Sequence, residues 1–457
     1  MTLAAIATPT LASLDRCFQR ILPGTIATAD ADGTPNVNYV SQLVVVDDRH
    51  LALSYQFPTT TRANLDANPH ASLEVFDPLT LDAYRLRLRR VRVDTAGPVF
   101  ELLAARIAAL ASHTGLAELF RLRAAYVCEV LAIERRAGLV EGTPPPATTG
   151  AGDPAAEALG LARVSEHIGR AADLDELYTS ALAALDDGFG FGHGMILVPD
   201  GDDRLVAVAS RGYAGGAVGT EVRVGHGLIG VVAQTRRLAR VLGLDDNLAY
   251  ARELRAEIVR RHGAAAVGPE VPLPGLPDAR SQLALPLVVD DRLLGVLALE
   301  SRATLTFALW HEAFLQVLAN QLAQAVARLA ARDDDDDAPL ERAPADALPP
   351  RTFTFYGNDD CVFVDGEYLV RNVPGKILWK LLRAHVDAGR TEFANRELRL
   401  DPSLGLPALK DNLESRLILL RRRLAEKCPA LALVPTRRGH FRLEVRCRPT
   451  LAERDSA

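Results

Sequence analysis

Three stretches carry residues whose types and spacing suit chemistry. Thr59, Thr60, Thr61 and Arg62 place three hydroxyls and a guanidinium just ahead of a short helical pattern that ends at Pro69. A helix entry offers free backbone N–H groups and positive potential, so hydroxyls and an arginine there suit an anion. The same four residues also suit an ordinary helix cap with a surface arginine. Further on, over 406–427, leucines and arginines interleave at helical spacing. At about 100° per residue, Leu413, Leu417, Leu420 and Leu424 share one arc and face a core. That arrangement turns Asn412, Ser415, Arg416, Leu419, Arg422 and Arg423 outward. Asn and Arg pair with base edges and Arg also holds phosphates, so this face suits a DNA major groove, with Arg437 and Arg438 reaching an adjacent groove or phosphates. The remaining candidates are weak. Cys17, Cys128, Cys361, Cys428 and Cys447 are scattered, with no C-x-x-C pair and no neighbouring histidine, and read as reduced thiols. His226 is a lone histidine in a glycine-rich turn, and the GFGFGHG run over 188–194 has glycines at period two, which is a turn and not a dinucleotide loop.

The elements that must position these residues follow from length and composition. A chain of 457 residues, 48% hydrophobic and 24% charged, is expected to form three globular domains. Its longest apolar stretches run to about a dozen residues, short of the roughly 20 of a membrane helix, so no span is expected. The start, MTLAAIATPT, has no basic region ahead of an apolar core; no secretory signal and a cytoplasmic location are expected. From Arg351 onward there are 20 Lys and Arg against 14 Asp and Glu, which leaves 32 against 44 for the rest. A basic C-terminal quarter on an acidic body is what nucleic-acid binding needs, because phosphate neutralisation supplies much of the affinity. Two segments, 138–155 (rich in Pro, Gly and Thr) and 332–350 (with Asp333 to Asp337 in a row), read as solvated linkers.

Residues 10–137 predict a helical start over 11–22, strands over 25–29, 35–46 and 51–55, a helix over 61–68, and strands over 71–76, 86–93 and 126–133. Many antiparallel strands with few helices favour a small closed barrel. The pieces ATADADGTPNVNYVS, LALSYQFPTTTRANLDANPHASLEV and RLRRVRVDTAGPV resemble the pyridoxamine 5'-phosphate oxidase-like split barrel. That resemblance implies flavin mononucleotide (FMN) as cofactor, its phosphate held at Thr60, Thr61 and Arg62 and its ring lined by Asn38 to Ser41, and a homodimer with the cofactor at the interface. Ala63 stands where the family often carries a second cation.

Residues 156–331 predict helices over 158–168 and 174–185, strands over 194–199, 205–211, 281–289 and 292–300 with a hairpin turn at Asp290-Asp291, and a long helix over 309–331. The stretch 263–277, with four prolines, predicts a lid or a disordered excursion. The pieces GHGLIGVVAQTRR and SQLALPLVVDDRLLGVLALES resemble a GAF domain, which implies an α/β sensor domain with an unidentified small-molecule ligand or a role in dimerisation. No cysteine lies here to anchor a bilin. The apolar stripe of the long helix, Leu315, Leu318, Leu322, Ala325, Val326 and Leu329, suits either packing on its own domain or a dimerising stalk.

Residues 351–448 predict strands over 352–356, 362–365 and 367–370, helices over 375–388, 395–399 and 406–427, and a hairpin of 431–434 with 441–445. This order, with LESRLILLRRRLAEKCPAL and PTRRGHFRLEV, resembles the OmpR/PhoB-type winged helix that binds double-stranded DNA. The whole predicts a multidomain α+β chain: split β-barrel, GAF domain, C-terminal winged helix. The expected function is a ligand- or redox-sensing transcriptional regulator. The alternatives are a flavin-dependent oxidoreductase regulated by its other domains, or a barrel and GAF domain serving only as dimerisation modules.

Overall fold

Alternating apolar and polar residues in the first third of the chain build one antiparallel sheet, because side chains two apart share a face. The computed structural model describes residues 9–19, 24–40, 42–57, 59–136, 154–214, 216–332, 349–404, 413–437 and 439–454. The sheet comprises β1 (Thr25–Ala29), β2 (Pro35–Tyr39), β3 (Leu43–Val45), β4 (His50–Tyr55), β5 (His70–Phe76), β6 (Ala83–Asp94) and β7 (Ala124–Arg136), in the order β2-β1-β5-β6-β7-β4-β3. Leu51, Leu53, Leu73, Val75, Leu86 and Leu88 form its core. The expected strand over 35–46 is two strands, and the helical start is a 3-10 turn over Ala12–Phe18. Register shifts at Arg87/Leu88 and Arg90/Arg92 mark bulges between the two longest strands, which bend them. Helix α1 (Thr60–Ala67) falls where expected, but α2 (Pro98–His113) was not predicted. It starts with Pro98 after Gly97, a residue pair that suits a helix N-terminus.

The middle segment has α3 (Pro154–Arg170), α4 (Leu174–Phe189), β8 (His193–Pro199), β9 (Arg204–Arg211), β10 (Glu221–Arg223), α5 (Gly227–Thr235), β11 (Ala239–Leu242), α6 (Leu244–His262), β12 (Ser281–Val289), β13 (Arg292–Ser301) and α7 (Leu309–Arg332). Its sheet runs β10-β9-β8-β13-β12-β11. Asp290 and Asp291 take φ of 50° and 58°, the two left-handed residues of a tight hairpin turn. Helices α3, α4 and α7 cover one face of the sheet, and the α7 stripe is buried in that core, so it packs on its own domain. The stretch after α6 is ordered against the other face, with Leu276 buried and its N–H donating to the Glu300 carboxylate at 2.8 Å.

The last segment has β14 (Pro350–Tyr356), β15 (Cys361–Val364), β16 (Glu367–Val370), α8 (Asn372–Ala388), β17 (Glu392–Ala394), α9 (Asn395–Arg399), α10 (Leu413–Lys427), β18 (Leu431–Arg437), β19 (His440–Val445) and β20 (Arg448–Arg454). Strands precede three helices and a hairpin, as expected. A further strand, β20, pairs in parallel with β14 beyond the predicted end at 448.

Two junctions tie these units together. Helix α2 presents Leu103 to the barrel and Ala105 and Ala109 to the middle core. Small residues let α2 approach α5 closely: the Gly227 N–H donates to Ser112 Oγ at 2.7 Å, and a Cβ on Gly227 would stand 2.9 Å from the His113 ring. Beside this contact the fully buried Arg240 pairs with Glu312 of α7 at 2.5 Å and with Asp15 of the barrel segment at 3.2 Å. A buried guanidinium without such partners would carry a large desolvation cost. The second junction is α10, described below.

Candidate functional site: a pocket at Arg62 and an occluded basic helix

The α1 entry forms as a capped helix. Thr59 is extended and its Oγ1 accepts from the Arg62 N–H at 3.3 Å, while Asn36 Nδ2 donates to Thr61 Oγ1 at 3.0 Å. That bond leaves the Thr61 hydroxyl proton for another acceptor. The Arg62 side chain turns across the barrel end. Its Nη1 donates to Tyr55 Oη at 2.8 Å, its Nε donates to Tyr126 Oη at 3.0 Å, and Asp66 pairs with it at 3.3 Å. The hydrogen bonds to Tyr55 and Tyr126 raise the Arg62 ionisation further, so the guanidinium is a fixed charge. Burial, and then Asp66, push the Tyr126 phenol up, so it remains a neutral donor to Asp66 at 3.2 Å.

Beside this cluster lies a cavity of about 480 Å³, within the usual range of small-molecule sites. The barrel contributes Asn38, Gln42, Tyr55, Thr61, Arg62 and Tyr126; Phe57 and Phe120, edge to face at 5.2 Å, form an aromatic corner. The opposite wall is Ile107, Leu110 and Ala111 of α2 with Tyr250, Ala251, Leu254 and Ile258 of α6. The pocket is therefore apolar and aromatic along most of its length and cationic at one end. Of the residues expected to hold a cofactor, Asn38, Thr61 and Arg62 meet here. Thr60 does not: as the first residue of α1 it is exposed and does not line the cavity. Ser41 lies outside the described residues. The α2 and α6 walls escaped sequence reasoning, although Leu248, Ala251, Leu254 and Ile258 repeat every three or four residues.

The basic helix α10 requires a correction. Leu413, Leu417, Leu420 and Leu424 face the C-terminal core as expected. The face expected to be exposed is instead packed on the middle domain. Ser415 and Arg416 are buried, and Ile418 and Leu419 join the core formed by α3, α4 and α7. Arg422 donates to Asp175 at 2.5 Å, to the Val208 carbonyl at 2.5 Å and to Thr179 at 3.0 Å. Arg416 lies 3.8 Å from Asp200, and Arg371 pairs with Glu221. Arg423 sits beside Gly219 and pairs with Glu426 at 3.3 Å. The cause is amphipathicity on two sides: Ile418 and Leu419 interrupt the arginine face and need a second apolar surface, and Asp175, Asp200 and Glu221 answer the cations around them. Asn412 and Arg438 lie outside the described residues, and the structure describes Arg437 only by its backbone, in β18.

Among the described residues no group of His, Cys, Asp or Glu is arranged to hold a metal, and all five cysteines are free thiols. No helix described is long and apolar enough to cross a membrane.

The model of the pyridoxamine 5'-phosphate oxidase family matches residues 12–129, and that of the GAF domain matches residues 171–327. The chain is a multidomain α+β protein, with a pyridoxamine 5'-phosphate oxidase-like barrel followed by a GAF domain. No curated protein gives a significant match. Solved structures similar to parts of the chain include the GAF domain of an Acinetobacter phosphoenolpyruvate-protein phosphotransferase (21% identity, covering 39% of this chain and 98% of that one, TM-score 0.29). Another is the free methionine-R-sulfoxide reductase of Neisseria meningitidis in complex with its substrate (20% identity, 38% and 93%, TM-score 0.30). A third is an FMN-binding protein of Syntrophomonas wolfei (19% identity, 28% and 88%, TM-score 0.23). At these scores they carry no argument about activity.

Proposed function

We propose that this is a cytoplasmic ligand-sensing regulator whose input is flavin mononucleotide, or a ligand of the same kind, in the barrel pocket. The supporting observation is the cavity beside Arg62: an aromatic, apolar slot of flavin size with a fixed cation, the Thr61 hydroxyl and a helix N-terminus at one end. The donor set fits the group. Thr61 and Arg62 would hold the phosphate, while Asn38 and the aromatic side chains would face the ring. When bound, flavin supplies redox-active and light-absorbing chemistry; the chain's own residues bind and orient it and exclude water. Asp66 already balances part of the Arg62 charge, which limits the affinity for a phosphate. The regulatory reading is favoured over an oxidoreductase because one side of the pocket is α6, within the GAF domain, so occupancy bears on a sensor module. The output, in this reading, is DNA binding by the C-terminal domain as a winged helix, held back while α10 is packed away. The test is titration of the full chain with FMN, followed by quenching of flavin fluorescence. Binding is expected, and Arg62→Ala should weaken it by about tenfold or more. A wild-type chain that leaves flavin fluorescence unchanged at micromolar concentrations would refute the proposal.

A further inference from the structure

The barrel alone does not enclose the pocket. One side is open in the barrel's own sheet, and α6 of the middle domain lies across it with Tyr250, Ala251, Leu254 and Ile258 against the cavity. Its placement is fixed by specific bonds. Gly243 caps α6 at φ 57°, a conformation that costs a side-chain-bearing residue, and Asn247 Nδ2 donates to the Leu242 and Gly243 carbonyls at 3.2 and 2.8 Å. Arg255 Nη1 donates to the Thr114 carbonyl at the end of α2 at 2.9 Å and to the Gly268 carbonyl at 2.7 Å. That one guanidinium joins the GAF helix, the barrel helix and the loop that follows α6. One side of the apolar wall is thus delivered by a different domain and held there by these bonds.

We infer that α6 is the second half of the binding site: the pocket takes a planar aromatic ring with an anionic tail, the tail at Arg62 and the ring packed between the barrel and α6. This rests on the proposed function and adds what that reading leaves open, namely that the ligand is gripped by both domains. A ligand touching both favours the joined arrangement by the free energy of its contacts with α6, which makes the GAF domain the responding element.

The experiment uses the full chain and FMN as probe. Ala251→Trp should fill the α6 side of the cavity and lower FMN affinity by about tenfold or more, whereas Ala251→Ser should stay within about twofold. Tyr250→Ala, at a half-exposed position that the fold tolerates, should lower it by about threefold to tenfold. Independently of any variant, FMN should slow amide hydrogen exchange over 247–258 in the wild-type protein. If the wild type binds FMN while Ala251→Trp and Tyr250→Ala bind it equally well and exchange over 247–258 is unmoved, α6 is not part of the site and the inference falls alone. If the wild type takes up no FMN, the proposed function falls and the inference with it.

Discussion

Protonation of His311 would break a bond that the folded chain depends on. Its Nδ1 accepts the Ala308 N–H at 2.7 Å, and its ring lies 3.9 Å from that of Trp310 and edge-on to Phe191. Burial, and then the nearby Arg240, push its pKa down from 6.5 to about 4. The unfolded chain therefore binds a proton between these values that the folded chain refuses. Stability from this group is fully present above about pH 6.5 and is lost as the pH falls toward 4. With the ring buried, the loss is about 2 kcal/mol. His311→Asn keeps an acceptor for Ala308 and cannot titrate in this range. Urea unfolding followed by tryptophan fluorescence in a Trp379→Phe background at pH 7 and pH 4 should show His311-bearing protein losing about 2 kcal/mol more than the His311→Asn variant. Parallel losses would mean that His311 does not set the acid limit of the folded chain.

At the scale of elements, α10 offers the sharpest test. Its C-terminal core stripe and its middle-domain anchor are different residues, so Leu419→Ala should loosen docking while leaving Leu413, Leu417, Leu420 and Leu424 in place. Removing that buried side chain should cost about 2 kcal/mol or more of docking, roughly thirtyfold in the undocked population. In fluorescence anisotropy with duplex DNA at low salt, Leu419→Ala should bind more tightly than the wild type, and the gain should fade with added salt. If neither protein binds at low salt, the C-terminal output is not DNA. The sequence made the leucine arc of α10 legible because helical periodicity reports which residues share a face. It did not report what covers the opposite face, and there Arg416 and Arg422 met Asp200 and Asp175 from more than 200 positions away. The pocket was half legible for the same reason. Thr59 to Arg62 lie together in sequence and announce a helix entry, whereas α2 and α6 reach the site only through tertiary packing. Helix α2 was also hard to see as a helix: with apolar side chains needed on two faces, it lacks the single stripe that marks a surface helix.

For the whole molecule, the surface of the barrel bears on assembly. Val37 and Tyr39 on β2 are 65% and 73% exposed, and Val91 and Val93 on β6 are also exposed. Apolar side chains of this size on strands suit contact with a second copy. A homodimer is expected, and light scattering at micromolar concentrations should give twice the 49.3 kDa chain mass. A monomer mass that holds as concentration rises would place those side chains in water. Val37→Lys with Tyr39→Lys should shift a dimer toward monomer.

Helix α2 lies in the barrel by sequence and in two cores by packing. Cutting the chain after residue 136 would strip Ala105 and Ala109 of their cover, and would leave Asp15 and Arg240 each without its partner across the junction. Barrel and GAF domain therefore share one ledger of cooperativity: heat should melt them in a single calorimetric peak, and neither has a folding free energy that can be assigned to it alone.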